Sequence, residues 1–169
     1  MTVDTDICQR KSIRLAEYDY SRAGAYFVTI CTHERKCLFG EIADEKMILS
    51  WIGRIAESCW QEIPRHFEHV DLDYYIIMPN HLHGILIIED DRRGTACRAP
   101  TDDQTTYERF GKPQKGSIPT VIRSFKSAVT KQINQLRNTP GLPVWQRNYF
   151  ERVIRDDDEL NRIPRIHSS

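Results

Sequence analysis

VDLDYYIIMP (Val70–Pro79) and HLHGILIIED (His81–Asp90), with only Asn80 between them, decide how this chain folds. Both runs are rich in β-branched and aromatic residues and read as strands. The Pro79-Asn80 step between them is a tight-turn signal, so the two strands are expected to lie side by side and antiparallel. Residues two apart on a strand project to the same side. His81 and His83 therefore share one face, while Leu82 points the other way, into a core.

Upstream, AYFVTICTH (Ala25–His33) is another strand by composition, and CLFGEI and KMILS, joined through 43–45, form a small hairpin. From Ser50, WIGRIAESCWQEI sets Ile52, Ile55, Ala56, Cys59, Trp60 and Ile63 on one side at helical spacing, and Pro64 is expected to end that helix. Trp51 and Trp60 both fall within this pattern and are expected in the core. Downstream, 91–115 is polar and punctuated by Gly and Pro, which predicts a long flexible loop.

Ser117 is a candidate cap for a second helix, with Pro119 in its first turn. One apolar stripe runs through Ile118, Val121, Ile122, Phe125, Val129, Ile133 and Leu136 as far as Asn138, where Thr139-Pro140-Gly141 closes it. WQRNYFERVIR (Trp145–Arg155) reads as a fourth main strand. DDDELNRI (Asp156–Ile163) opens a last helix, with acids where the helix dipole favours them; Pro164 interrupts it. The order predicts an α+β protein: an antiparallel β-sheet with helices on one face, ferredoxin-like or RRM-like, in a single domain over 1–169 that begins with a basic arm at 1–24. The bare face of such a sheet commonly receives single-stranded nucleic acid.

The 169 residues carry 24 basic and 24 acidic side chains and 40% apolar residues, enough for a core but with no net charge to draw a nucleic acid. Any such partner must be met by local charge. From Lys112 to Arg137 the chain holds Lys112, Lys115, Arg123, Lys126, Lys131 and Arg137 without one Asp or Glu. A run of this kind is most often a solvated helix face. In a neutral chain it also reads as a phosphate-facing surface. Arg10, Lys11 and Arg14, near Tyr18 and Tyr20 as base-stacking aromatics, are a second candidate. The five cysteines form no CxxC pair, so a disulfide framework and a cysteine zinc site are not expected; Cys31 and Cys59 read as small buried hydrophobes. With no apolar leader and no apolar run of about 18 residues, the expectation is a cytoplasmic protein without membrane contact.

A bare His-x-His is more often two half-buried polar residues than a metal site, since two ligands alone do not make one. Its context here changes the reading. YYIIMPNHLHGILII, together with RKSIRLAEYDYSRAGAYFVTICTHERKCLFGEI, GSIPTVIRSFKSAVTKQIN and VWQRNYFERVIRDDDELNRI, resembles the REP-associated tyrosine transposases in the family's own order from Arg10 to Ile163. These belong to the His-hydrophobic-His, single-tyrosine group of transposases. The resemblance implies that His81 and His83 hold a divalent metal, Mg or Mn, that polarises a phosphate of single-stranded or hairpin DNA. It also implies strand cleavage by a tyrosine, through a 5′-phosphotyrosine, and a possible homodimer.

The sequence departs from that pattern at the nucleophile. The position matching the family tyrosine is Ile166, in ELNRI followed by Pro164, Arg165, Ile166 and His167, and the family's Asn-Pro falls past Ser169. The expectation is a final helix cut short and a weakly held metal. Tyr149 is the nearest substitute by sequence, although a strand tyrosine is more often a packed aromatic. The alternative is a DNA-binding or interaction protein without catalysis, a gene remnant; a missing helix supplied in trans would instead restore activity.

Overall fold

The computed structural model of the chain describes residues 20–89 and 116–155. Arg10, Lys11 and Arg14 of the expected basic arm, the segment 91–115 expected to be a loop, with Lys112 and Lys115, and everything from 156 onward, including Ile166, lie outside the described residues.

The chain runs β1 (Gly24–Cys31), a 3-10 turn (His33–Arg35), β2 (Gly40–Ala43), β3 (Lys46–Leu49), α1 (Trp51–Gln61), α2 (Ile63–His66), β4 (Val70–Met78), β5 (His81–Ile88), α3 (Ile118–Arg137) and β6 (Phe150–Ile154). The main sheet is antiparallel in the order β4-β5-β1-β6, so the pair read from Val70–Asp90 sits at one side and β1 is central. β2 and β3 form a separate two-stranded ribbon. Asp44 and Glu45 turn it with φ of 50° and 62°, the doubly left-handed geometry that matches strand twist in a two-residue hairpin.

Alternation along the strands builds the core. Tyr26, Val28 and Ile30 of β1 and Leu82 and Leu86 of β5 are buried with Ile52, Ala56 and Trp60 of α1 and Ile118 to Ile133 of α3. The antiparallel sheet with helices on one face is therefore present as expected. Trp60 lies edge-on to Phe125, with ring centroids 5.2 Å apart. It packs against Gly84, where a β-carbon would collide with the indole. That glycine is required by the close approach of helix and sheet. On the other face Ile85 and Ile154 are also buried, apart from this core.

Several expectations need correction. Pro64 does not simply stop α1; it stands in the first turn of α2, where its missing N–H costs nothing. Trp51, at the start of α1, is 48% exposed and receives the Arg137 guanidinium over its ring at 5.6 Å. Leu136 falls off the stripe and is exposed in the last turn of α3, which Asn138 ends in a left-handed cap. Ser117 occupies the N-cap but makes no capping bond through its side chain. The last strand is shorter than Trp145–Arg155, because only an isolated bridge from Thr32 to Trp145 precedes Phe150.

Candidate functional site

His81 and His83 lie on the face of β5 turned away from the helices, half-buried, with ring centroids 4.5 Å apart, and Leu82 between them is fully buried. Each ring is held by its inner nitrogen. Asn80 donates through Nδ2 to the Arg35 carbonyl at 3.3 Å, which orients its Oδ1 toward His81. A carboxamide oxygen only accepts, so at 2.7 Å His81 donates from Nδ1, and its Nε2 keeps a lone pair. His83 Nδ1 pairs with Thr29 Oγ1 at 2.7 Å across the β1–β5 register, and Phe27 stacks on the same ring at 5.4 Å and 22°. The two Nε2 atoms make no hydrogen bond among the described residues.

Sequence reasoning missed what sets Asn80. Glu34 and Arg35 adopt left-handed backbone, φ 56° and 54°, which costs non-glycine residues roughly 1 kcal/mol or more each. Thr32, fully buried, ties this turn to the β4–β5 turn: its N–H donates to the Asn80 carbonyl at 3.0 Å, and its hydroxyl reaches the Lys36 and Asn80 carbonyls at 2.7 and 3.0 Å. Consecutive left-handed residues in THER leave no turn signature in the sequence.

Burial is the main reason both imidazoles titrate below the usual histidine range; the Arg35 charge adds to it at His81, and His81 adds to it at His83. Neutral imidazoles with an outer partner on Nδ1 are the form that coordinates a metal. On donors alone two imidazoles fit Mn, Zn, Co or Ni more readily than Mg, which prefers oxygen. Among the described residues no third His, Cys, Asp or Glu joins them in a cluster that would hold a metal ion.

The remaining candidates scatter. Arg123 and Lys131 are exposed on α3, in the helix layer rather than on the histidine face. Lys126 is half-buried, and its ammonium donates to the carbonyls of Gln146, Arg147 and Asn148 at 2.6, 3.3 and 3.4 Å. It anchors the approach to β6, and burial pushes its pKa down to about 8. Tyr20 is buried against Tyr26 and is no stacking platform; Tyr18 lies outside the described residues. Cys59 is buried, but Cys31 is half-buried and stands opposite His81, which corrects its reading as a core residue.

Tyr149 donates from its hydroxyl to the buried carboxylate of Glu151 at 2.7 Å and packs against the helix-side core. Phe150, its neighbour, is the residue that shares a face with Thr29 and His83. Tyr149 is thus turned to the opposite side of β6 from the histidines, a poor position for attack at a phosphate held there. No helix among the described residues is long and apolar enough to cross a membrane.

No family model matches the chain. An uncharacterized protein of Haemophilus influenzae is 42% identical over 160 residues, which cover 93% of this chain and 85% of that protein. Among solved structures, a REP-associated tyrosine transposase bound to a REP hairpin aligns with 84% of this chain at 14% identity and a TM-score of 0.48; the aligned part is 62% of that transposase's length. A candidate transposase from Deinococcus radiodurans aligns over 85% of this chain and 88% of its own, at 13% identity and a TM-score of 0.47.

Proposed function

This chain belongs to the same family as the uncharacterized Haemophilus influenzae protein, and from its own side chains we propose that it binds structured single-stranded DNA, such as a repeat hairpin with unpaired flanks, on the histidine face of its sheet. The observation that carries the reading is the His81–His83 pair, each ring tied through Nδ1 to Asn80 or Thr29. An imidazole pair fixed in this way, with Nε2 left over, is more than two polar residues beside a turn. The four-motif resemblance to REP-associated transposases points the same way.

In this reading His81 and His83 hold Mn or Mg weakly, with water or DNA oxygens at the other positions. When bound, the metal supplies a Lewis acid to a phosphate oxygen. Asn80 and Thr29 fix the rings, and Phe27 limits the tilt of His83. Arg35, whose charge is felt at His81, adds a positive field that favours a phosphate beside the pair.

The second reading concerns cleavage. Tyr149 faces Glu151, and the position that the resemblance gives to the nucleophile is Ile166, whose side chain has no nucleophilic atom. Binding without covalent cleavage by this chain alone is therefore the form of the function we favour. The test is incubation of a labelled hairpin carrying a single-stranded flank with the protein and Mn. Saturable binding, weaker for the same sequence as a blunt duplex, and no adduct on a denaturing gel are expected. An adduct that disappears in Tyr149→Phe would overturn the non-cleaving form; equal affinity for blunt duplex would overturn the single-strand reading.

A further inference from the structure

Resting on that reading of the histidine face, we propose that Phe150, with Arg152 beside it, is a stacking position for an unpaired nucleobase, one strand beyond the histidine pair. Three positions stand in a row across this face: His83 on β5, Thr29 on β1 and Phe150 on β6, in direct register. Two strand spacings put Phe150 roughly 10 Å from His83, within the reach of a neighbouring nucleotide of the same strand. The next row holds Ile85, Phe27 and Arg152. Phe27 is committed to His83 by stacking, whereas Phe150 is 39% exposed on an edge strand.

An exposed phenyl on a sheet edge invites association, and edges are ordinarily protected by charge. Here the neighbouring charge on this face is positive: Arg152, two residues on, projects to the same side and is exposed. The one acidic residue of β6, Glu151, is turned to the other face, buried, and accepts from Tyr149. Among the described residues of β6 no carboxylate shares this face with the ring, and a phenyl beside an arginine suits a base and its phosphate better than it suits a protein edge. A base stacks on phenyl whatever its identity, so the position confers grip rather than sequence choice.

The experiment uses the full chain and a hairpin oligonucleotide with an unpaired tail, in which 2-aminopurine replaces one tail base at a time. Quenching at one or two adjacent tail positions is expected for the parent. Phe150→Leu keeps the apolar volume but cannot stack; it is expected to lose that quenching and about 5- to 100-fold in affinity. Its dependence on salt should stay that of the parent, because no phosphate contact is removed. Phe150→Trp should retain both affinity and quenching, which a merely structural phenyl would not ensure. Uniform fluorescence along the tail of the parent, or Phe150→Leu binding like the parent, would overturn the stacking position while leaving tail binding intact. A parent that ignores the tail altogether would overturn the single-strand reading, and the stacking position with it.

Discussion

On β1, Tyr26, Val28 and Ile30 are fully buried beneath the helices, whereas Phe27, Thr29 and Cys31 between them are half-buried on the face shared with His81 and His83. The same contrast runs along β5, where Leu82 and Leu86 fill the core and the histidines do not. The helix face is packed to the point that Gly84 has no room for a methyl group. The histidine face is instead organised by hydrogen bonds between side chains that a core would not tolerate unpaired. One face holds the fold, and the other is free to specialise.

The largest expected effects break the first half of that comparison. Trp60→Ala should cost about 3–5 kcal/mol and Leu82→Ala about 2–5 kcal/mol in denaturant unfolding, the range for large cavities in a core. Thr29→Val and His83→Ala, on the other face, should stay within about 1 kcal/mol. Similar losses on both faces would mean that the histidine face is core as well. Gly84→Ala should fall between, at about 1–3 kcal/mol, because Trp60 must move to admit the methyl group.

Lys126 sharpens the comparison at the rim, where α3 holds the approach to β6. Its folded pKa of about 8 lies below the ordinary lysine value of about 10.4. The unfolded chain therefore binds the extra proton between those values, and stability should rise as pH climbs from about 8 toward 10.4. The size is on the order of 1 kcal/mol after allowance for the water that still reaches the ammonium. Unfolding of the parent and Lys126→Met across that range checks it: the rise should vanish in the variant. A parent whose stability falls there would show that the three carbonyl bonds outweigh burial.

The smallest expected effect concerns the helix layer. If DNA keeps to the histidine face, replacing Arg123 and Lys131 together by Gln should leave the salt dependence of hairpin binding unchanged. A log–log slope flatter by about 1.4, two phosphate contacts for a single strand, would mean that the DNA wraps onto α3.

Much of this was legible in the chain. Alternation in Val70–Asp90 gave the β4–β5 pair and put both histidines on one face, and the stripes of α1 and α3 named most of their buried residues but not Gly53, Pro119 or Asn134. What was not legible depends on partners distant in sequence. Trp51 and Leu136 lie in the first and last turns of their helices and are exposed there, which periodicity alone does not show. Lys126 looked like a phosphate contact because a sequence does not reveal that three carbonyls of 146–148 will surround its ammonium. Asn80, Thr29 and the left-handed Glu34–Arg35 turn became part of the site only when the fold brought 29–35 against 80–83.

The central claim, that Asn80 and Thr29 present the Nε2 atoms of His81 and His83 to a metal, is met most directly by calorimetric titration with Mn. Weak but saturable binding is expected for the parent, lost in the His81→Ala, His83→Ala double variant. With the rings intact but unsupported, in Asn80→Ala and Thr29→Val together, the affinity should fall about 10- to 100-fold. Mn binding of equal strength in all three proteins would contradict the account, for the ion would then be held somewhere other than the histidine pair.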